Sequence, residues 1–340
     1  MTSRTVHCIG CLFLFVGPAA CGSSSSKSGA QPGAVTDAAV TDAAVLVDAG
    51  ADADAAVNLN ASGTGPCGAS TIQAGTFDLA FQNVTYNYIV HLPPNYDGTK
   101  RTPLVLNWHG YTSSASQEET FTGMDAISDS EGFILVYPNS PDMSWNAGTC
   151  CAFTAATRDD VGFAMALIAQ LREQTCIDAK RIYTTGMSNG AFMSYRLGCE
   201  HAETFAAIAP VAGKVGIPSC MPSRPVPLMA FHGDADPLVS YDAGTLSGET
   251  PPLSVPDTVK AWATRSGCTK GPDTTYQMGV VTCSTWSACT AGATVTLCTV
   301  QGAGHCWPGQ SYCPSMYGTS TTDINASTEI GAFFKKFSLP

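Results

Sequence analysis

The sequence predicts an α/β protein whose central sheet is mostly parallel and covered by helices on both faces. Three observations predict it. Between residues 66 and 340, short apolar runs alternate with stretches of helical spacing. The turn Gly186-Met187-Ser188-Asn189-Gly190 falls where one such run meets a helix. The same region is rich in cysteine, which points to disulfide stabilisation.

Met1–Cys21 opens with Arg4, continues through an apolar stretch containing Phe13 and Phe15, and ends in Ala19 and Ala20. That is the layout of an export signal, too short to span a bilayer comfortably. Pro18-Ala19-Ala20-Cys21-Gly22 resembles a bacterial lipobox, with Pro18 where that pattern prefers Leu, so lipidation of Cys21 and anchoring to a membrane are expectations. Ordinary cleavage and free secretion is the alternative. Residues 22–65 are rich in Ser, Ala, Asp and Gly and repeat Thr-Asp-Ala-Ala-Val in tandem. With few large apolar side chains to bury, they read as a disordered linker.

Residues 66–340 then read as one catalytic domain. Tyr86–Leu92 alternates as a half-buried strand does and is broken by Pro93-Pro94-Asn95-Tyr96-Asp97-Gly98. Thr102–Trp108 is the next strand, and 132–137 is a continuous apolar run suited to burial on both faces. Asp159–Cys176 has helical spacing, Arg181–Thr185 is a strand, and Asn189–Cys199 is a helix. Strands are expected at Phe205–Val211, Val226–Phe231 and Ala293–Val300, with helices at Val255–Arg265 and Thr328–Phe337. In such sheets, reactive groups sit on loops past the carboxyl ends of strands.

Of fifteen cysteines, Cys8, Cys11 and Cys21 fall in the opening segment, leaving an even twelve. In an exported chain these read as disulfides, with a late cluster at Cys268, Cys283, Cys289 and Cys298. Cys199 with Cys220 and Cys306 with Cys313 would close short loops, although spacing alone does not fix the pairing. Zinc is disfavoured, because no Cys-x-x-Cys pair occurs among these twelve and Cys150-Cys151 are adjacent. No metal or other cofactor is expected. The net charge of −11 argues against a nucleic-acid partner.

Gly186-Met187-Ser188-Asn189-Gly190 matches the Gly-x-Ser-x-Gly elbow, in which a strand turns so sharply into a helix that only small residues fit beside the serine. Ser188 is the expected nucleophile. A serine hydroxyl needs a base to take its proton, and the chain has six histidines. His305 follows the last apolar strand between flanking glycines and is the expected base, whereas His91 and His201 have ordinary structural readings. The turn Phe231-His232-Gly233-Asp234-Ala235-Asp236-Pro237 offers two acids. Asp236 is the expected orienting acid, and Asp234 a partner of the local backbone. The order serine, acid, histidine is that of α/β-hydrolases. The oxyanion donors are expected to be the N–H groups of Asn189 and Tyr111, with Gly110 allowing close approach and His109 structural.

Trp145-Asn146-Ala147-Gly148 with Cys150-Cys151, Asp159-Asp160-Val161-Gly162-Phe163, the Ser188 elbow, and Gly304-His305-Cys306-Trp307-Pro308-Gly309 together resemble the polyhydroxybutyrate depolymerase-like esterases, relatives of feruloyl and acetylxylan esterases. The resemblance runs over Tyr86–Phe337. It implies an α/β-hydrolase fold, a cofactor-free serine carboxylesterase, the triad Ser188, Asp236 and His305, and Trp307 and Trp145 on the acyl pocket. The ester would be a plant cell-wall acyl ester or a hydroxyalkanoate ester or oligomer, and the enzyme would act outside the cell or on its surface. Cys306 stands where relatives often carry a hydroxyl residue. Two other readings compete: a noncatalytic surface-binding lipoprotein with this fold, and a serine peptidase of the same fold.

Overall fold

The computed structural model describes Cys67, Gly68, Ser70 and residues 72–151, 157–242 and 253–340. The expected export signal, Cys21 and the linker lie outside the described residues.

The chain opens with an antiparallel hairpin, β1 (Gly75–Phe81) and β2 (Val84–His91). It continues through β3 (Thr102–Trp108), α1 (Ala115–Thr122), α2 (Met124–Glu131) and β4 (Ile134–Asn139). Next come α3 (Asp160–Gln174), β5 (Ile177–Met187), α4 (Asn189–Glu200), β6 (Ala207–Val211) and β7 (Leu228–Gly233). It closes with α5 (Val255–Arg265), β8 (Lys270–Met278), β9 (Val281–Ser287), β10 (Val295–Val300) and α6 (Ala326–Phe334).

The described strands form one 10-stranded sheet in the order β1-β2-β4-β3-β5-β6-β7-β10-β9-β8. From β4 to β10 every pairing is parallel, and both ends of the sheet are antiparallel. Both faces are covered, as expected. Leu104, Leu106 and Trp108 of β3 join one buried cluster with α3, α4 and α5, while Val105 joins a second with α2 and α6. β4 divides likewise, Ile134 and Val136 against Leu135 and Tyr137. A strand covered on both sides has no polar face to show, which is why these runs are continuously apolar.

All twelve cysteines from Cys67 onward are paired: Cys67–Cys176, Cys150–Cys151, Cys199–Cys220, Cys268–Cys289, Cys283–Cys298 and Cys306–Cys313. Cys283 and Cys298 are register partners on β9 and β10, so that bridge fastens the antiparallel end to the parallel centre.

Five elements lie beyond the sequence expectation: β1, α1, α2, β8 and β9. α1 reads Ala-Ser-Gln-Glu-Glu-Thr-Phe-Thr and has no apolar stripe; it starts at the Ser114 cap, whose side chain accepts from the Gln117 N–H. α2 follows it across Gly123. β8 is exposed along most of its length, so burial left no pattern in it. β1 does carry a signal, the alternation of Phe77, Leu79 and Phe81 on one half-buried face.

Candidate active site

β5 ends at Met187 and α4 begins at Asn189, leaving one residue for the turn. Ser188 takes that turn at φ 55° and ψ −120°, a strained backbone for a residue with a side chain. Its N–H donates to the Val211 carbonyl at 2.9 Å, and its own carbonyl accepts the Phe192 N–H at 3.0 Å. The glycines on either side are required by space. A Cβ on Gly186 would stand 2.5 Å from the Trp108 carbonyl oxygen, and one on Gly190 only 1.9 Å from the same atom. The elbow is therefore pressed against the end of β3.

The turns after β7 and β10 meet beside it. A Cβ on Gly233 would lie 2.3 Å from the Ala303 carbonyl oxygen, and one on Gly304 1.9 Å from that of Tyr317. His305 Nδ1 lies 2.7 Å from Asp236 Oδ2, and both residues are buried. A carboxylate can only accept, so Nδ1 holds the hydrogen and Nε2 is left with a lone pair. Asp236 Oδ1 accepts the N–H groups of Leu238 at 2.8 Å and Val239 at 2.9 Å. Burial by itself would raise the Asp236 pKa; hydrogen bonds from His232 and then His305 outweigh it and hold the carboxyl well below the ordinary carboxylate range. Asp234 accepts the Gly302 N–H at 2.5 Å, the backbone role expected of it.

His232 was missed by sequence reasoning. Its Nε2 is 3.3 Å from Asp236 Oδ2 and 2.8 Å from the Val239 carbonyl oxygen. The only signal for it was its place four residues before the acid in an apolar strand.

Ser188 and His305 line one cavity of about 770 Å³, with Gly110, Tyr111, Phe121, Leu238, Tyr312 and Tyr317 among its walls. Tyr111 is half-exposed there. A Cβ on Gly110 would meet Ser188 Cβ at 3.4 Å, so the Gly110-Tyr111 backbone passes close to the nucleophile. His109 holds that backbone: its Nε2 accepts the Ser140 N–H at 3.1 Å, leaving Nδ1 to donate to the Gly110 carbonyl at 2.7 Å. Burial pushes the His109 pKa down to about 4, so the ring is neutral in this role. Asn189 starts α4. Its side chain accepts the Trp145 N–H at 2.7 Å and donates to the carbonyls of Trp145 and Cys150 at 3.1 and 3.2 Å. The Cys150–Cys151 bridge is thereby fixed to the elbow, and Cys151 reaches the cavity wall.

Trp145 and Trp307, expected on the acyl pocket, are corrected by their burial. Both are 0 % exposed. The Trp145 indole donates to the His109 carbonyl at 3.1 Å and packs edge-on against Trp108; that of Trp307 donates to Ser327 Oγ at 2.8 Å. The neighbouring loops supply the wall instead: Cys151 near the first, and Tyr312 and Tyr317 beyond the second.

A family model described as esterase PHB depolymerase matches residues 86–248, a stretch that holds Ser188 and Asp236. Feruloyl esterase B of Piromyces equi is 32% identical over 230 residues, which is 64% of this chain and 42% of that protein. The chain thus spans less than half of that relative's length. A putative esterase, NocK, of Nocardia uniformis subsp. tsuyamanensis is 30% identical over 266 residues, 72% of this chain and 77% of that protein. The bifunctional acetylxylan esterase/xylanase XynS20E of Neocallimastix patriciarum is 27% identical over 221 residues, 64% of this chain and 30% of its own. Among solved structures, the acetyl xylan esterase from Aspergillus awamori superposes with a TM-score of 0.53 at 15% identity, covering 77% of this chain and 99% of that one. At that identity the likeness concerns the fold, which is that of the α/β-hydrolases.

Proposed function

The chain belongs to the esterase PHB depolymerase family, related to the feruloyl and acetylxylan esterases, and on that premise we propose that it hydrolyses carboxylic esters through a covalent acyl-enzyme on Ser188. The observation that carries the mechanism is the buried His305–Asp236 pair, 2.7 Å apart, on the wall of the cavity that Ser188 also lines.

Ser188 Oγ attacks the ester carbonyl carbon while His305 Nε2 takes its proton. Asp236 keeps Nδ1 protonated and balances the imidazolium that forms. The negative charge on the carbonyl oxygen is met by the N–H of Asn189 at the start of α4 and by that of Tyr111. The C–O bond to the alcohol then breaks as His305 returns the proton to the leaving oxygen. In the second half, water attacks the acyl-serine by the same route and releases the acid. None of these steps uses a metal or other cofactor.

Of the ester classes named by relatives, the aromatic walls favour a planar acyl group such as ferulate over a hydroxyalkanoate chain. Tyr111, Phe121, Tyr312 and Tyr317 surround the cavity, and the Phe121 and Tyr312 rings meet edge to face at 6.4 Å. The test compares hydrolysis of methyl ferulate, p-nitrophenyl acetate and a hydroxybutyrate oligomer by the wild type and by Ser188→Ala. Turnover of methyl ferulate that Ser188→Ala abolishes is expected; equal activity in the two proteins would remove Ser188 from the mechanism.

We further propose that the chain is exported and anchored through an acylated Cys21. The order of charges and apolar residues in Met1–Cys21 supports this, as do six disulfides, which need an oxidising compartment. The mass of the mature N-terminus decides it: an N-terminus without acylated cysteine rules the anchor out.

A further inference from the structure

His232 ends β7 beside Gly233 and is buried. The Val239 carbonyl at 2.8 Å and Asp236 Oδ2 at 3.3 Å are both acceptors, so His232 Nε2 must carry a hydrogen and divide it between them. Oδ2 is also the oxygen that takes the His305 Nδ1–H. The Asp236 carboxylate therefore meets four donors: two backbone N–H groups on Oδ1 and two imidazoles on Oδ2. The triad alone explains the His305 contact. It gives no reason for a second imidazole on the same oxygen.

We propose that His232 is a positioning residue for ester hydrolysis, one that shares Asp236 Oδ2 with His305 and clasps the Val239 end of the acid's turn. The inference rests on the triad reading above. The clasp closes residues 232–239 into one unit, and Val239, at its far end, lines the cavity with His305. The direction in which Asp236 points and the place of one cavity wall are thus set together. The shared donor also divides the carboxylate's charge, so that His305 does not receive all of it. Among the described residues Tyr241 also faces His232, its ring 5.9 Å away and its hydroxyl paired with Thr299 at 2.7 Å. Asp234, in the same turn, is occupied by Gly302.

The experiment uses His232→Phe, which keeps a ring and removes the donor, and His232→Gln, whose amide N–H reaches about as far as Nε2. With p-nitrophenyl acetate, the Phe variant is expected to lose kcat roughly ten- to a hundredfold with KM little changed. The acidic limb of its pH profile moves to higher pH, because the undivided charge of Asp236 then favours protonated His305. Gln restores most of the rate and the limb. Proton NMR gives a readout independent of turnover: the downfield resonance of the His305–Asp236 hydrogen shifts in the Phe variant and returns toward its original place in the Gln variant. Wild-type rates in the Phe variant, or equal losses in both variants with an unmoved limb and resonance, overturn the proposal. Should the wild type hydrolyse no ester, the esterase reading falls, while the resonance still decides whether the two histidines share Oδ2.

Discussion

Gly190, on the first turn of α4, lies so close to Trp108 at the end of β3 that a Cβ there would stand 1.9 Å from the Trp108 carbonyl oxygen and 2.5 Å from its carbonyl carbon. Both atoms are backbone, in a central strand, and cannot step aside as a side chain could. Gly190→Ala must therefore displace β3 or the elbow. The expected cost is above about 4 kcal/mol, enough to leave little soluble protein. Gly132 is the contrasting control: its φ of 74° is left-handed where Gly190 is helical, and an added Cβ would meet nothing within 4 Å. Gly132→Ala should cost only about 1 kcal/mol. Thermal melts of the two variants separate crowding from backbone strain; similar losses in both would show that Gly190 is not kept by contact with β3.

Glu118 of α1 is a carboxylic acid within the cavity lining that is 2 % exposed, and its Oε1 has no hydrogen-bond partner among the described residues. Burial raises its pKa well above 4.5, with the Met187 N–H opposing in part. The folded protein thus holds a proton that the unfolded chain gives up above 4.5. Stability from this group is fully present below that pH and declines as pH rises toward the folded-state value. Glu118→Gln keeps the shape and removes the ionisation. The difference in Tm between Glu118→Gln and the wild type should therefore grow in the variant's favour from pH 5 to about pH 8. Parallel Tm curves across that range would mean that Glu118 is already ionised in the folded protein.

The contrast between Ser188 and His232 shows what could be read in the sequence and why. Ser188 is announced by glycines that steric crowding imposes at fixed spacing, and His305 and Asp236 by their places after apolar strands. These are local constraints. His232 matters only because the turn from Gly233 to Val239 folds back over it, and no local pattern marks that. The fold divides the same way: doubly covered strands such as β3 are legible as apolar runs, whereas α1 and β8 are polar elements held in place by the sheet. Trp145 and Trp307 failed as pocket residues for a related reason. A Trp beside a motif is equally suited to line a cavity or to brace the loop behind it, and only packing decides.

Trp307 tests that division directly. Its indole donates to Ser327 Oγ at 2.8 Å, and Ser327 in turn donates to the Thr122 carbonyl at 2.6 Å, joining the base loop to α6 and α1. Trp307→Phe loses that donor and leaves space behind it. A loss of about 1–3 kcal/mol in unfolding free energy is expected, with KM for p-nitrophenyl acetate unchanged. A severalfold rise in KM with undiminished stability would put the indole back on the substrate.

The Cys306–Cys313 bridge makes the last prediction, because it joins the residue after the base to the segment that carries Tyr312 and Tyr317 into the cavity wall. His305 is tied to the same segment by its N–H, which donates to the Tyr317 carbonyl at 2.7 Å. Its side chain is held separately, by Asp236 at 2.7 Å. Cys306→Ser with Cys313→Ser should therefore free the wall while leaving the base in place: KM for an aromatic ester rises, kcat changes less, and the short loop costs roughly 2.5 kcal/mol of stability. Cys67–Cys176 supplies the comparison. It closes a loop of sequence separation 109 and neither cysteine lines the cavity, so its double serine variant should lose more stability with KM unaltered. Steady-state kinetics and denaturant titrations of the two variants give four numbers. If KM follows stability in both, the effect on the cavity is general loosening; a rise confined to the Cys306–Cys313 variant assigns to that bridge the shaping of the pocket beside His305.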